Sequence, residues 1–337
     1  MKVDPEWLEA TLAELVAIDS RNPTLVPGAS GEREIAGRIA EILRGIGLEA
    51  EIYEAAPGRV SAVGRLRGTG GGRSLMLNGH VDTVGVDGME RPFEPRVDVG
   101  RLYGRGAYDM KGSVAAMLAA AKALVEEGAP MAGDLVVACV ADEEVASLGT
   151  TDVLERYPVE GAIVTEPTGL ALSLAHKGFV WLDVEVRGRA AHGSRPDLGV
   201  DANLRMGRFL ARLEGLERQL RGRAPHPLVG PPSLHVGVLQ GGEGPSTYAE
   251  RCVARIERRT VPGETVEEVT AEVSAILDGL RSEDSEYEAE VRVDLARAPF
   301  EAREGGLVAA VVETAATEVL GAVPARRGDS YWMDAAL

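Results

Sequence analysis

Aromatic side chains are scarce. Phe, Trp and Tyr together make up 4% of the 337 residues, so a core has to be built mainly from Ala, Val and Leu. Cysteine is rarer still. Cys139 and Cys252 are the only two, and both lie in apolar, strand-like runs ("LVVACVADEE" and "ERCVARIERR"). That argues against a disulfide and suits a reducing compartment. No apolar stretch approaches the ~20 residues that span a bilayer. The N-terminal "MKVDPEWLEATLAEL" lacks the apolar core of a signal peptide, so a cytoplasmic location is expected. Positive charge is in deficit, with 36 Lys and Arg against 53 Asp and Glu, a net charge of −17. This argues against nucleic acid and anionic membranes as partners.

What is present is an ordinary globular composition, 45% hydrophobic, over a length that suggests two domains. Asp4 reads as an N-cap with Pro5 opening a helix through Ala17. A second amphipathic helix is expected over 31–47. Strands "EAEIYEA" and "VSAVGRLRG" follow, then "GTGGG" and another strand, "SLMLNGHVDTV". A Gly-rich stretch between strands reads as a hairpin loop rather than a dinucleotide-binding turn. "KGSVAAMLAAAKALVEEG" (111–128) predicts a helix packed on a sheet, and "GDLVVACVADEE" and "GAIVTEP" predict buried strands. Alternating strands and helices imply an α/β domain with a mixed, mostly parallel sheet flanked by helices. From about residue 176 the strands alternate apolar and polar residues, as half-exposed antiparallel strands do. With a helix near 197–217 and others, they predict an inserted α+β domain over 176–297. The first domain then comprises 1–175 and 298–337, the chain returning to it with the helix "LVAAVVETAATEVLG".

Histidine is also rare, with five residues: His80, His176, His192, His226 and His235. His80 ends a predicted buried strand two residues before Asp82, whose carboxylate can fix the imidazole tautomer, as partners of metal-binding histidines do. Taken alone, a satisfied core histidine competes with that reading. Asp109, in "GRGAYDMKG", precedes a helix and on its own would be an N-cap. Glu143 and Glu144 follow one buried strand and Glu166 another. Adjacent buried carboxylates repel unless a cation or a proton lies between them. Together, four consecutive buried strands are expected to end in a His or a carboxylate, where open α/β sheets bind ligands. One His with several carboxylates is a hard donor set suited to two divalent cations sharing a bridging carboxylate: zinc, cobalt or manganese.

"LNGHVDTV", "GRGAYDMKG", "ADEEVASLGT", "VTEPT", "AAHGSRPDLGVDAN" and "IERRTVPGET" together resemble the M20 metallopeptidase and deacylase family. That family includes acetylornithine deacetylases, succinyl-diaminopimelate desuccinylases and carboxypeptidases. The resemblance runs from the first helix to Leu337. It implies a zinc-exopeptidase-like catalytic domain with an inserted lid and dimerisation domain. It also implies two divalent ions, zinc foremost. His80 and Glu166 would hold one ion and Glu144 the other, with Asp109 bridging. Asp82 would orient His80, and Glu143 would be the general base. His192 would reach the active site of a partner subunit in a homodimer. Arg259 would grip a substrate carboxylate, with a plain surface strand charge as an equal alternative. The expected reaction is amide hydrolysis of an N-acyl amino acid. A dipeptidase or aminopeptidase of the same family is the alternative. In the family, "SYWMDAAL" would be followed by a strand, a Gly-rich loop and a histidine for the metal shared with Glu144. No histidine follows His235, so a catalytically impaired, truncated chain is a further alternative.

Overall fold

The computed structural model describes residues 2–337. They form two compact units. One runs to Leu170 and includes Met333–Ala335 and Leu337; the other is Ala171–Trp332 with Ala336.

In the first unit, helix α1 (Pro5–Ala17) starts as expected, with Asp4 accepting from the N–H groups of Glu6 and Trp7 at 3.1 and 3.2 Å. Helix α2 (Arg33–Gly45) buries Ile35, Ala36, Ile39, Ala40, Ile42 and Leu43 along one stripe. The strands are β1 (Glu49–Ala56), β2 (Arg59–Leu66), β3 (Leu75–His80), β4 (Arg96–Asp98), β5 (Arg101–Tyr103), β6 (Leu135–Val140) and β7 (Gly161–Val164). Helix α3 (Lys111–Glu126) precedes β6, and α4 (Leu148–Arg156) follows it.

Five strands form one sheet in the order β1-β2-β6-β3-β7. β3, β6 and β7 are parallel, and β2 is antiparallel to both β1 and β6, so only β2 opposes the common direction. All six residues of β6 are buried, which explains its unbroken apolar run. Its side chains alternate between two cores. Leu135, Val137 and Cys139 pack with residues of α1, α2 and α3, whereas Val136, Ala138 and Val140 pack with Val153 of α4. Helices therefore cover both faces.

The Gly-rich stretch is not a hairpin loop. β6 lies between β2 and β3, so residues 67–74 must cross its entry. Thr69 and Gly70 donate to Met131 O and Ala132 O at 2.8 and 2.9 Å. A Cβ on Gly72 would sit 2.5 Å from Gly133 N. The glycines serve a close crossing of two loops, not a tight turn.

The second unit has strands β8 (Leu172–His176), β9 (Gly178–Arg187), β10 (Ser233–Gly241), β11 (Arg251–Thr260), β12 (Ala289–Arg297), β13 (Phe300–Glu301) and β14 (Arg326–Asp329). Its helices are α5 (Ala202–Arg221), α6 (Val266–Glu283) and α7 (Leu307–Leu320). An antiparallel sheet, β10-β11-β9-β12, shows the expected alternation; Val180, Leu182, Val184 and Val186 pack with Phe209 and Leu213 of α5 and Val269 and Val273 of α6. α5 starts later than the expected 197, because Asp201 caps it and Arg195–Gly199 form a turn. A smaller sheet runs β13-β8-β14. Residues 171–175 and 298–332, expected with the first domain, group with this unit. Trp332 donates from Nε1 to Ala298 O at 3.0 Å, its ring edge-on to His176 and Phe179. Among the described residues no helix is long and apolar enough to cross a membrane.

Candidate metal centre

The carboxyl ends of β3, β6 and β7 supply most of the expected residues. His80 is the last residue of β3, Glu143 and Glu144 follow β6, and Glu166 follows β7. Asp109 differs from expectation. It ends no buried strand; it lies between the exposed β4–β5 hairpin and α3. Nor does it cap α3. Met110 occupies the N-cap position without a side-chain bond, and the Asp109–Met110 peptide is cis.

The Asp109 carboxylate instead meets His80. His80 Nε2 lies 3.1 Å from Asp109 Oδ1 and 3.7 Å from Glu166 Oε1. The ligand atoms of these three residues all lie within 4.8 Å of one another. A divalent ion bound through ~2.0–2.2 Å bonds to nitrogen and oxygen needs donors at about this spacing. His80 is 2% exposed, and the Asp109 side chain is 55% exposed, which leaves one side open to solvent. His80 Nδ1 lies 2.9 Å from the Asp82 backbone carbonyl and 3.6 Å from Asp82 Oδ1. With Nδ1 turned to that carbonyl, Nε2 is the nitrogen that faces Asp109 and Glu166, and on losing its proton it would offer a metal its lone pair. The Asp82 carboxylate has a second task. It accepts the backbone N–H groups of Glu143 and Glu144 at 3.1 and 3.3 Å.

The electrostatics are those of acids crowded together in a largely buried site. Burial pushes Glu143 well above the ordinary carboxylate range; His80 opposes the rise, and Asp334, Glu166 and Asp82 add to it. Burial raises Glu144 and Glu166 to about 7 each. For His80, burial works downward, but hydrogen bonds to Asp109 and Asp82 override it and hold the imidazole well above its usual value. Asp82 is lowered: burial opposes this, but His80, Asn22 and the Glu143 N–H outweigh it.

Several residues at the site carried no sequence signal of function. Asn22 donates from Nδ2 to Asp82 Oδ2 at 2.9 Å and to Asp142 Oδ1 at 3.0 Å. Arg59 donates to Asn22 Oδ1, Thr24 Oγ1 and Glu32 Oε1, and its Nε lies 3.2 Å from Asp142 Oδ1. Buried Asp334 accepts from Thr150 Oγ1, which itself accepts from Asn78 Nδ2 at 3.1 Å. Lys111, fully buried, donates to Leu15 O and Ile18 O at the end of α1 and so ties down the loop carrying Asp109. Burial lowers its amine to about 8.

His192 and Arg259 belong to the second unit. His192 is exposed, its Nδ1 2.9 Å from Ser194 Oγ. Arg259, in β11, pairs with Glu257 at 2.9 Å and lies 5.3 Å over the Phe179 ring. Glu257 also accepts from Trp181 Nε1 at 3.2 Å. Arg259 is thus half-buried, with an ion pair and a ring contact.

The α/β unit thus gathers a histidine and carboxylates into a donor set that a divalent ion could use. Residues 76–337 match the profile of Peptidase family M20/M25/M40. The acetylornithine deacetylase of Myxococcus xanthus is 36% identical over 296 residues, covering 85% of this chain and 75% of that protein. The N-formyl-4-amino-5-aminomethyl-2-methylpyrimidine deformylase of Bacillus subtilis is 30% identical over 280 residues, 77% of this chain and 66% of its own length. The crystal structure of aminopeptidase PepT from Bacillus cereus superposes with a TM-score of 0.79 at 20% identity, covering 99% of this chain and 87% of that one. The chain belongs to the M20/M25/M40 peptidase family and is a hydrolase of that metal-dependent family.

Proposed function

We propose that this protein hydrolyses the amide bond of N-acyl amino acids, with Glu143 as general base. The observation that carries the reading is the His80–Asp109–Glu166 donor trio beside a buried carboxylate, Glu143, raised well above its usual range. The curated relatives above add support, since both names describe removal of an acyl group from nitrogen.

The donor set suits two divalent ions, zinc first and cobalt or manganese next. His80 and Glu166 would hold one, Glu144 the other, with Asp109 shared. When bound, such ions polarise the amide carbonyl and acidify water. Asp82 fixes the Glu143 backbone, and burial gives Glu143 the basicity to take the proton of the attacking water. The same raised value lets it return that proton to the leaving amine. Asp82 keeps the His80 ring in place. In this reading the unit running to Leu170 carries the catalysis, and residues 176–297 of the other unit are a lid through which a homodimer forms. His192 would stabilise the oxyanion in the partner's site, and Arg259 would bind the substrate carboxylate, its fork held by Glu257 and Phe179. The location would be cytoplasmic, in keeping with two buried, free cysteines.

The test is a side-by-side rate measurement on N-acetyl and N-succinyl amino acids and on dipeptides, with added zinc or cobalt. Faster cleavage of the N-acyl amino acids is expected. Preference for dipeptides would replace this reading with the peptidase one, and no metal-dependent hydrolysis of either would sink both.

A further inference from the structure

We propose that Asn22 is a positioning residue for this reaction. It sets the Asp82 carboxylate and, through it, the backbone of Glu143 and Glu144. The inference rests on the hydrolase reading for its kinetic consequence.

Asn22 is fully buried, so its amide has no water to satisfy it. Its orientation is fixed by chemistry. Oδ1 faces two donors, Arg59 Nη2 at 2.7 Å and the Thr24 N–H at 3.0 Å, so the NH2 group must occupy the other end. There it bridges two carboxylates, Asp82 Oδ2 and Asp142 Oδ1, at 2.9 and 3.0 Å. The Asn22 backbone is tied to the same region, its N–H donating to Thr83 O at 2.8 Å.

Both bridged carboxylates govern the segment that carries the base. The chain leaves β6 through Asp142 at φ 70°, a left-handed conformation that is uncommon outside glycine and that aspartate tolerates better than most residues. Asp142 O accepts from Ala146 and Ser147 N–H, and its side chain is held by Asn22 and Arg59. Asp82 then takes the next two backbone N–H groups, those of Glu143 and Glu144. One amide therefore joins the carboxylate beside His80 to the turn that aims Glu143. Aspartate would place a third carboxylate against two, alanine would leave two carboxylates facing each other, and serine supplies one proton where two are used.

The experiment compares wild type, Asn22→Ala and Asn22→Ser. It measures kcat and KM of the zinc-loaded protein on its best N-acyl amino acid, metal content, circular dichroism, and amide hydrogen exchange across 135–147. For Asn22→Ala, kcat should fall about 10- to 100-fold, the usual effect of removing a partner that orients site residues. KM should stay within about twofold and metal content should be unchanged, the signature of lost transition-state alignment. Amides 143 and 144 should exchange at least about tenfold faster while β6 itself keeps its protection. Asn22→Ser, retaining one donor, should fall between, and it decides the matter should the alanine variant fail to fold. Unchanged exchange at 143 and 144, or kcat within about twofold of wild type in a folded variant, overturns the proposal. Should the wild type hydrolyse none of these substrates, the functional reading fails, and exchange at 143 and 144 still decides whether Asn22 holds this segment.

Discussion

Replacing Arg59 with Met removes a buried charge while roughly keeping side-chain bulk, so the cost reports electrostatics rather than a cavity. Arg59 is 7% exposed and Glu32 fully buried. The guanidinium gives up contacts of 2.9 Å to Glu32, 2.7 Å to Asn22, 2.6 Å to Thr24 and 3.2 Å to Asp142. Breaking one side of a buried ion pair costs ~3–5 kcal/mol, a large share of the ~5–15 kcal/mol that holds a typical protein folded. The pH dependence has a definite sign. Burial, with Asp82, raises Glu32 to about 7 from 4.5, and Arg59 opposes that rise. A carboxyl raised on folding binds its proton more tightly in the folded state. Its contribution is fully present below about pH 4.5 and is lost as pH rises through about 7, at ~1.4 kcal/mol per unit. Without Arg59 the proton is held to still higher pH, so the variant should suffer most at pH 8 and least near pH 5.5. Urea melts of wild type and variant at both pH values measure this. Adding Glu32→Gln to the variant should recover part of the loss at pH 8. A cost under ~1 kcal/mol at pH 8, or a larger cost at pH 5.5, would refute the reasoning.

Other expectations follow from the site. Glu143→Gln should lower kcat by about 10²–10⁴, the range of a lost general base, with KM and metal content little changed. Because Glu144 and Glu166 sit at about 7 without metal, ion binding must displace protons below that pH. Zinc affinity should therefore weaken on acidification from pH 8 to 6, and calorimetry in buffers of different ionisation enthalpy should show proton release; pH-independent affinity would contradict those values. Arg259→Met should raise KM at least about tenfold for substrates with a free carboxylate and leave their carboxamide counterparts unaffected, as loss of a charge-assisted bond requires.

Local signals in the sequence located the elements well. The apolar run 135–140 marked a strand covered on both faces, and Asp4-Pro5 marked a helix start to the residue. Strand neighbours were not legible, because pairing is decided by residues far apart: the insertion of β6 between β2 and β3 turned an expected hairpin into a loop crossing. The candidate site residues His80, Glu143, Glu144 and Glu166 stood out because they interrupt or end apolar runs. The residues supporting them did not. Neither Asn22 nor Arg59 stands in a motif or interrupts an apolar run. Most of their partners lie 27 to 120 positions away in the sequence, so only folding shows that their polar groups have nowhere else to go.

The central claim is that this donor set works as a metal-dependent base site. Its most direct test is to strip the protein with chelator, titrate zinc or cobalt back while following hydrolysis of an N-acyl amino acid, and run Glu143→Gln in parallel. The account predicts no hydrolysis by the stripped protein, recovery on adding metal, and at most about a hundredth of that recovery in the variant. Hydrolysis that survives stripping, or an undiminished rate in Glu143→Gln, would contradict it.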